Sequence, residues 1–169
     1  MADEQVALFT EDGLPDGSAP RSVMRARRLW HAATFVLPRS VDGTRIYVHQ
    51  RTFTKDVFPG LFDCWAGGVL AAGESVAEGA RRELAEELGV RGVSLEPLFS
   101  FRFEPTRCHC HCFEARTDGP FTWQPEEVRD GGWRTLPELR AMLEDPATPF
   151  VTDGRAALER WLSLRKAAP

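Results

Sequence analysis

The sequence predicts an α/β fold, in which helices pack on a sheet around a buried core. Three observations lead to this class. At 169 residues, with 43% hydrophobic and 27% charged side chains, the chain has the size and composition of an ordinary globular protein. A strongly signalled amphipathic helix occupies its middle. Strand-like segments lie on both sides of that helix. We therefore expect a single domain over residues 1–169, with an N-terminal segment at 1–29 and a core at 30–165.

The central helix has clear signals at both ends. Ser75 and Glu78 form a capping box, in which each side chain can satisfy a free backbone N–H. Gly89 follows at the point where a left-handed residue ends a helix. The helix therefore runs from about 76 to 88. At about 100° per residue, one stripe of its apolar side chains can face a core. These are Val76, Ala77, Ala80, Leu84 and Leu88.

The other elements follow from local periodicity and from the residues that interrupt it. The predicted strands lie at 6–9, 30–37, 45–50, 93–103 and 107–115, with a strand start at 132–134 and an extended piece at 121–123. The predicted helices lie at 22–28, after Thr135, and from Thr152 or Asp153, one of which caps it, to about Lys166. The predicted turns and loops lie at 11–20, 39–44, 51–63, 65–67, 104–106, 118–120 and 124–130.

Four local signals refine these elements. Ser22 is a candidate cap for the first helix, and Pro38 is expected to end the strand before it. The dipeptide Asp42-Gly43 indicates a type I′ hairpin turn. Pro97 indicates a bulge or an edge position within a strand.

Composition excludes several classes of function. A formal net charge of −4 argues against a general nucleic-acid or anionic-membrane binder, although it allows a local basic pocket for phosphates. No apolar run approaches the ~20 residues of a membrane helix. The N-terminus lacks the layout of a signal peptide. We therefore expect a cytoplasmic protein whose four cysteines are reduced.

The segment RCHCHCFEA has the most unusual composition in the chain. As a strand it places Cys108, Cys110 and Cys112 on one face and the two histidines between them on the other. Cysteine and histidine invite a zinc site, but ligands on opposite faces of a strand cannot converge on one ion. Because cysteine also packs as a small hydrophobic residue, we interpret this segment as a core strand.

Three glutamates lie close together on the central helix. Glu83, Glu86 and Glu87 are spaced i, i+3 and i+4, so their charges repel one another. A divalent cation such as Mg²⁺ or Mn²⁺ would remove that repulsion, and carboxylate oxygens are its preferred ligands. The ordinary alternative is a solvated charged face, because Arg82 is also one turn from Glu78 and from Glu86.

The residues around these glutamates distinguish the two interpretations. From 68 to 90 the chain reads G-x5-E-x7-R-E-U-x-E-E-x-G-U, where U is a bulky aliphatic residue. The specified positions are filled by Gly68, Glu74, Arg82, Glu83, Leu84, Glu86, Glu87, Gly89 and Val90. This pattern resembles the signature of the Nudix hydrolase family. The segments WHAATFVL, QRTFTKDVFPGLFD and GGWRTLPEL resemble the family branch related to isopentenyl diphosphate isomerase, and the similarity covers roughly residues 5–165.

The resemblance implies an α/β/α sandwich around a mixed sheet, with the signature as a loop–helix–loop. It also implies Mg²⁺- or Mn²⁺-dependent hydrolysis of a diphosphate linkage in a small molecule, a nucleoside diphosphate or a related nucleotide derivative. Carried over by position, it makes metal ligands of Glu83, Glu86, Glu87 and the Gly68 carbonyl. The metal would neutralise the diphosphate and activate a water molecule.

The resemblance assigns further roles with less precision. Arg82 and Glu74 would form an ion pair that holds the helix against its loop. The general base is either a signature glutamate, Glu83 or Glu86 among them, or an acid of a later loop. In that later loop, Glu127 and its neighbour Glu126 are the candidates. Dimerisation is common in such folds, which leaves a homodimer open, although no segment carries an unambiguous interface stripe.

Basic residues outside the signature are candidates for substrate binding. Arg51 and Lys55 lie in the predicted loop 51–63 and could contact phosphates. The four arginines of the first predicted helix could do the same, but a solvated helix face is the expected role. They are Arg21, Arg25, Arg27 and Arg28.

Two other functions remain open at this point. The related isomerases carry a catalytic cysteine and a metal-binding histidine where this chain has Gly67 and Val69. Isomerase chemistry is therefore disfavoured. A non-catalytic nucleotide sensor would typically have lost a signature glutamate or the arginine, and this chain retains them all. A phosphate-release assay would separate an enzyme from a sensor.

Overall fold

The structure is a computed structural model, and it describes residues 2–167. The strands are β1 (Gln5–Phe9), β2 (Pro15–Pro20), β3 (His31–Arg39), β4 (Arg45–Arg51), β5 (Phe62–Asp63), β6 (Ala66–Val69), β7 (Leu95–Phe103), β8 (Cys108–Arg116) and β9 (Val128–Thr135). The helices are α1 (Arg21–Arg27), α2 (Val76–Leu88), α3 (Leu136–Glu144) and α4 (Thr152–Ala167), and a 3₁₀ turn spans Glu104–Thr106. None of the helices within residues 2–167 has the length and apolar character needed to cross a membrane.

Strand β3 lies at the centre of the mixed sheet. It runs parallel to β8, in register from His31 opposite Cys108 to Arg39 opposite Arg116, and antiparallel to β1, β4 and β6. All nine β3 residues are buried, which explains why its sequence reads as a nearly continuous apolar run. The predicted fold class, an α/β fold with a mixed sheet, is confirmed.

Two cores lie on the two faces of this sheet. Helices α3 and α4 cover one face, where Leu139, Leu158 and Trp161 pack against Ile46 and Val48 of β4 and against the three cysteines of β8. Helix α2 covers the other face, where its buried side chains pack against β4 and β3. They are Ala80, Leu84 and Leu88, and their partners include Tyr47 and Val36. The helices and sheet therefore form three layers.

Several predictions from local pattern are confirmed. Helix α2 has the predicted bounds, both hydrogen bonds of its capping box are present, and Gly89 ends it with φ +69°. The three cysteines of β8 are buried in one core, as expected of a core strand. A register shift between Pro97 and Phe99 marks the predicted bulge. Helix α3 begins after Thr135, whose side chain accepts from the backbone of Glu138.

Other predictions were wrong where pairing overrides local propensity. The predicted turn at 11–20 contains β2, because Pro15–Pro20 pairs with β1 at the edge of the sheet. Pro38 does not end β3, since pairing with the parallel β8 carries the strand on to Arg39. The predicted turn at 65–67 is instead the beginning of β6, which pairs with β3. Strand β9 likewise begins at Val128, inside the predicted loop.

The capping and turn predictions also needed correction. Pro20 precedes α1 and Ser22 lies within it, bonded to Asp3 rather than capping the helix. The loop before β4 is not a type I′ turn, because only Gly43 has positive φ, and the Asp42 carboxylate accepts from the Thr44 N–H. Thr152 and Asp153 both lie inside α4, so neither precedes the helix as its cap.

Candidate functional site

A cavity of about 730 Å³ opens where α2 and β6 meet α1 and two loops, residues 52–61 and 124–127. We call its α2 side the acidic wall, formed by Glu83, Glu86 and Glu87. We call the cations on its other sides the basic wall, formed by Arg21, Arg25, Arg28, Arg51 and Lys55. A third group, Asp63 and Asp153, is the buried carboxyl pair.

Two glycines of β6 allow close approaches, Gly67 to β3 and Gly68 to α2. A Cβ atom at Gly67 would lie 1.8 Å from the Thr34 carbonyl oxygen of β3, which leaves no room for any side chain. A Cβ atom at Gly68 would lie 2.5 Å from Oε1 of Glu83. The Gly67 N–H also points toward Oε2 of Glu87, at 3.3 Å. The acidic wall therefore rests directly on the β6 backbone.

Arg82 binds the acidic wall to the loop before α2. Its Nε and Nη2 atoms donate to the two carboxylate oxygens of Glu74, at 2.7 and 3.0 Å. Its Nη1 donates to Glu83 at 2.7 Å and to Glu86 at 3.2 Å. The hydrogen bonds with Arg82 lower the pKa of Glu74, and those with Glu74 raise the pKa of Arg82. The ion pair implied by the family resemblance is thus present as a bidentate contact.

The acidic wall is under electrostatic strain. Burial raises the pKa of the Glu83 carboxyl, although Arg82 opposes the shift. Burial raises the pKa of Glu87 well above its usual range, and the nearby charges of Glu83 and Glu127 raise it further. Such crowding of carboxylates in a buried place disfavours their ionised forms. A cation bound there would reverse that preference.

The donor chemistry of the acidic wall fits a hard divalent cation, because all its side-chain ligands are carboxylate oxygens. As the side chains stand, Arg82 occupies part of the space between Glu83 and Glu86. Within residues 2–167, no three His, Cys, Asp or Glu side chains are already gathered around one point as a metal site. The carboxylates are therefore close together, but they are not preset in a coordination shell.

A solvated helix face was expected for the four arginines at α1, but three of them, including the exposed Arg28 directly after the helix, line the cavity. Arg21, Arg25 and Arg28 line the cavity, whereas Arg27 is exposed away from it. Buried Met24 anchors the helix and turns this side of it inward. The spacing of the arginines does not predict this orientation, because four residues within two helical turns point in several directions around the helix. Acidic side chains hold two of them, Glu4 at Arg21 and Asp56 at Arg25.

Arg51, Lys55 and Glu127, chosen from separate parts of the sequence, meet in the cavity. The Lys55 ammonium donates to the carboxylate of Glu127, which joins the two loops. The Thr52 N–H reinforces this junction by donating to the Glu127 carbonyl at 3.1 Å. Glu126 lies outside the cavity lining, so the structure separates the two candidate loop acids.

Sequence reasoning missed the buried carboxyl pair. Asp63 accepts hydrogen bonds from the N–H groups of Cys64 and Trp65, and burial together with Asp153 raises its pKa to about 7. Burial is also the main reason that the pKa of Asp153 is raised. No local signal identifies the two residues, because one lies at the end of a predicted loop and the other looked like a helix cap.

Residues 29–154 match the model of the NUDIX domain. The chain belongs to the Nudix hydrolase family. It is 49% identical over 168 residues to an uncharacterised Nudix hydrolase of Rhodococcus erythropolis, covering 93% of this chain and 91% of that protein. It is 37% identical over 161 residues to the uncharacterised Nudix hydrolase YfcD of Escherichia coli, covering 94% and 87%. The crystal structure of DR0079 from Deinococcus radiodurans aligns with a TM-score of 0.78 at 25% identity, over 92% and 98% of the chains.

Family membership confirms the resemblance seen in the signature, and it makes the chain a hydrolase that acts on pyrophosphate bonds. Nudix hydrolases act on small-molecule nucleotide derivatives and generally use divalent metal ions such as Mg²⁺. The narrower affiliation with the isomerase-related branch stays a prediction, since these comparisons identify the family as a whole.

Proposed function

We propose that the protein is a divalent-metal-dependent hydrolase that cleaves the diphosphate linkage of a nucleoside diphosphate or a related nucleotide derivative. One observation carries this proposal: the acidic wall and the basic wall face the same cavity. A diphosphate needs both, because a metal held by carboxylates and a set of cationic side chains neutralise its charge together.

Glu83, Glu86 and Glu87, with the carbonyl of Gly68, would hold Mg²⁺ or Mn²⁺. When bound, the ion supplies charge neutralisation and a water molecule of lowered pKa. Support for this role comes from the burial of Glu83 and Glu87 and from their mutual repulsion. Arg82 and Glu74 keep α2 in place against its preceding loop.

The basic wall orients the diphosphate. Arg51 and Lys55 approach the cavity from β4 and the following loop, and α1 adds Arg21 and Arg25. Guanidinium groups bind phosphate through two parallel hydrogen bonds, which fixes orientation as well as charge. Arg21 and Arg25 are paired with partly exposed acids, so a phosphate can replace those partners at small cost.

Glu83, Glu86 and Glu127 are the candidates for the general base that removes a proton from the attacking water. Glu127 is the one that does not lie on α2, and it reaches the cavity from the loop 124–127. Its contact with Lys55 connects it to the basic wall. A phosphate that engaged Lys55 would release the Glu127 carboxylate.

The structure supports hydrolysis over isomerisation at one particular position. The cysteine of the related isomerases would stand at Gly67, where an added Cβ would lie 1.8 Å from a carbonyl oxygen of β3. The backbone of Gly67 sets the position of the Cβ, and the oxygen that it would meet belongs to the backbone of Thr34. No side-chain rotation can therefore relieve the overlap. We therefore do not assign isomerase chemistry to this site.

The proposal is tested by phosphate release from a panel of diphosphate compounds with Mg²⁺, with products identified by mass spectrometry. Glu83→Gln should lower kcat by two or more orders of magnitude, because it removes an anionic ligand of the metal. Glu96→Gln makes the same chemical change at an exposed position of β7 and should leave kcat unaltered. Full activity in Glu83→Gln, or nucleotide binding without any product, would refute the proposed hydrolysis.

A further inference from the structure

The geometry points to a role for Asp63 and Asp153 in substrate selection: we propose that they bind the base of the nucleotide, and that the preferred base is guanine. This inference rests on the proposed function, since it concerns the other end of the same cavity. It goes further by naming the base and the side chains that distinguish it from other bases.

Pairing between distant segments brings the two carboxyl groups together. Phe62 of β5 accepts from the N–H of Val151 and donates to the Pro149 carbonyl, both at 2.9 Å, as in a short parallel bridge. This bridge places the first turn of α4 beside β5. There a Cβ at Gly154 would lie 2.5 Å from Oδ1 of Asp63, so only glycine allows the approach.

Trp65 fixes the same junction from its other side. Its indole N–H donates to the Gly154 carbonyl at 2.9 Å, and its ring packs edge-on against Phe35. Both rings also line the cavity, together with Val151. The buried carboxyl pair is therefore held rigidly among apolar surfaces, as is typical of a site for a flat organic group.

Each carboxyl group of the pair has one oxygen engaged and one free. Oδ1 of Asp63 accepts from two backbone N–H groups, and Oδ1 of Asp153 accepts from the N–H of Gly154. Within residues 2–167, the hydrogen bonds of both side chains involve only Oδ1, and neither Oδ2 belongs to the fully buried polar atoms without a partner, so both Oδ2 atoms are unpaired and accessible. Because both residues line the cavity, their Oδ2 atoms can accept hydrogen bonds from a ligand bound there.

The surrounding side chains do not supply those donors. His31 directs Nδ1 to the Leu29 carbonyl at 3.0 Å, and its burial lowers its pKa, which favours the uncharged ring. Arg51 is the cation whose charge reaches both carboxyls. Its Nη2 donates to the Val57 carbonyl at 3.0 Å, and its Nε is buried without a partner in the described part of the chain. This end of the cavity thus holds two accessible acceptors that are free to bind a ligand and one buried donor without a partner.

Guanine has the complementary edge. Its ring N–H and its amino group are adjacent donors, and its carbonyl oxygen beside them is an acceptor. Uracil presents one N–H between two carbonyl oxygens, which would face carboxylates that can only accept when ionised. A prenyl chain would exclude water from these polar atoms without offering them hydrogen bonds, and this is costly. A cavity of about 730 Å³ accommodates a whole nucleotide.

The test compares GDP with UDP as substrates at pH 8 in the presence of Mg²⁺. We expect kcat/KM of the wild-type protein to be on the order of 100-fold higher for GDP, because a site built for hydrogen bonds discriminates strongly against an edge that lacks them. Asp63→Asn should lower kcat/KM for GDP by on the order of 10- to 100-fold. The same variant should leave kcat/KM for UDP unchanged or raise it, because the new amide can donate to a uracil carbonyl.

Two further variants make the result specific. Asp153→Asn alters the less buried partner and should shift the GDP-to-UDP ratio in the same direction. Asp12→Asn makes the same change in an exposed turn far from the cavity lining and should leave the ratio unchanged. Thermal unfolding of each variant confirms that the compared proteins are folded.

The outcomes separate this inference from the proposed function. Equal wild-type kcat/KM values for GDP and UDP would overturn the base preference, whatever the variants do. A second outcome is that Asp63→Asn lowers kcat/KM by the same factor for GDP, for UDP and for methyl diphosphate, which has no base. That result would place Asp63 in the catalytic machinery instead. If no diphosphate is hydrolysed, the proposed function fails. Calorimetric binding of GMP and UMP then decides on the base preference alone, and equal affinities would refute it.

Discussion

The acidic and basic walls of the cavity are assembled in different ways. The acidic wall comes from one turn and a half of α2, so its three glutamates are adjacent wherever that helix forms. The basic wall collects residues from α1, from β4 and from the loop after β4, which only the folded sheet brings together. Helical spacing therefore reveals the first wall, whereas the second depends on long-range packing.

The two walls also differ in burial. Glu83 and Glu87 are largely buried, and their repulsion is only partly offset by Arg82. In the basic wall, Arg21 and Arg25 pair with partly exposed acids, and such pairs contribute little to stability. We infer that the acidic wall governs the chemical step through a bound metal, whereas the basic wall governs how well the substrate is held.

The largest effect that separates the walls is expected at Gly68. An added methyl group would lie 2.5 Å from Oε1 of Glu83, so Gly68→Ala should displace this carboxylate from the β6 backbone. We expect kcat to fall by on the order of 100-fold, since small misplacements of catalytic groups have effects of that size. At Gly132 an added methyl group meets only the mobile end of Arg134, so Gly132→Ala is the control. An unchanged kcat in Gly68→Ala would show that Glu83 need not touch β6.

A smaller effect, on KM rather than kcat, is expected at the basic wall. Arg21→Gln removes one cation that lines the cavity and should raise KM by on the order of 10-fold with little change in kcat. Arg27→Gln removes the same charge from the same helix, outside the cavity lining, and should change neither constant. Steady-state kinetics at fixed ionic strength measures both. If the two variants behaved alike, α1 would contribute only a general electrostatic field.

The smallest effect concerns stability and requires no turnover. Because a divalent cation relieves repulsion in the acidic wall, saturating Mg²⁺ should raise Tm by about 5 °C relative to a chelated sample. The shift should be largely absent in Glu83→Gln and retained in Glu96→Gln, both measured by differential scanning fluorimetry. A shift of equal size in all three proteins would locate Mg²⁺ binding elsewhere than in the acidic wall.

The fold was predictable from sequence wherever the determining interactions are local. Capping residues and the apolar stripe specify α2, and alternation separates the side chains of β4 and β8 that pack on the two faces of the sheet. Predictions failed where strand pairing decides the outcome. Pro38 remains in β3 and Gly67 lies in β6 because neighbouring strands satisfy their backbones, and propensity scales contain no information about such neighbours.

Local spacing was enough to place the three glutamates of the acidic wall together on one helix, and the contact of Arg82 with Glu74 was implied by the resemblance to the Nudix signature. Long-range packing was needed to bring Arg21, Arg25 and Arg28 to the cavity, Lys55 to Glu127, and the buried carboxyl pair beside them. Asp63 and Asp153 become neighbours through a bridge between Phe62 and Phe150, and because that bridge joins distant segments, the chain between them carries no mark of the pairing.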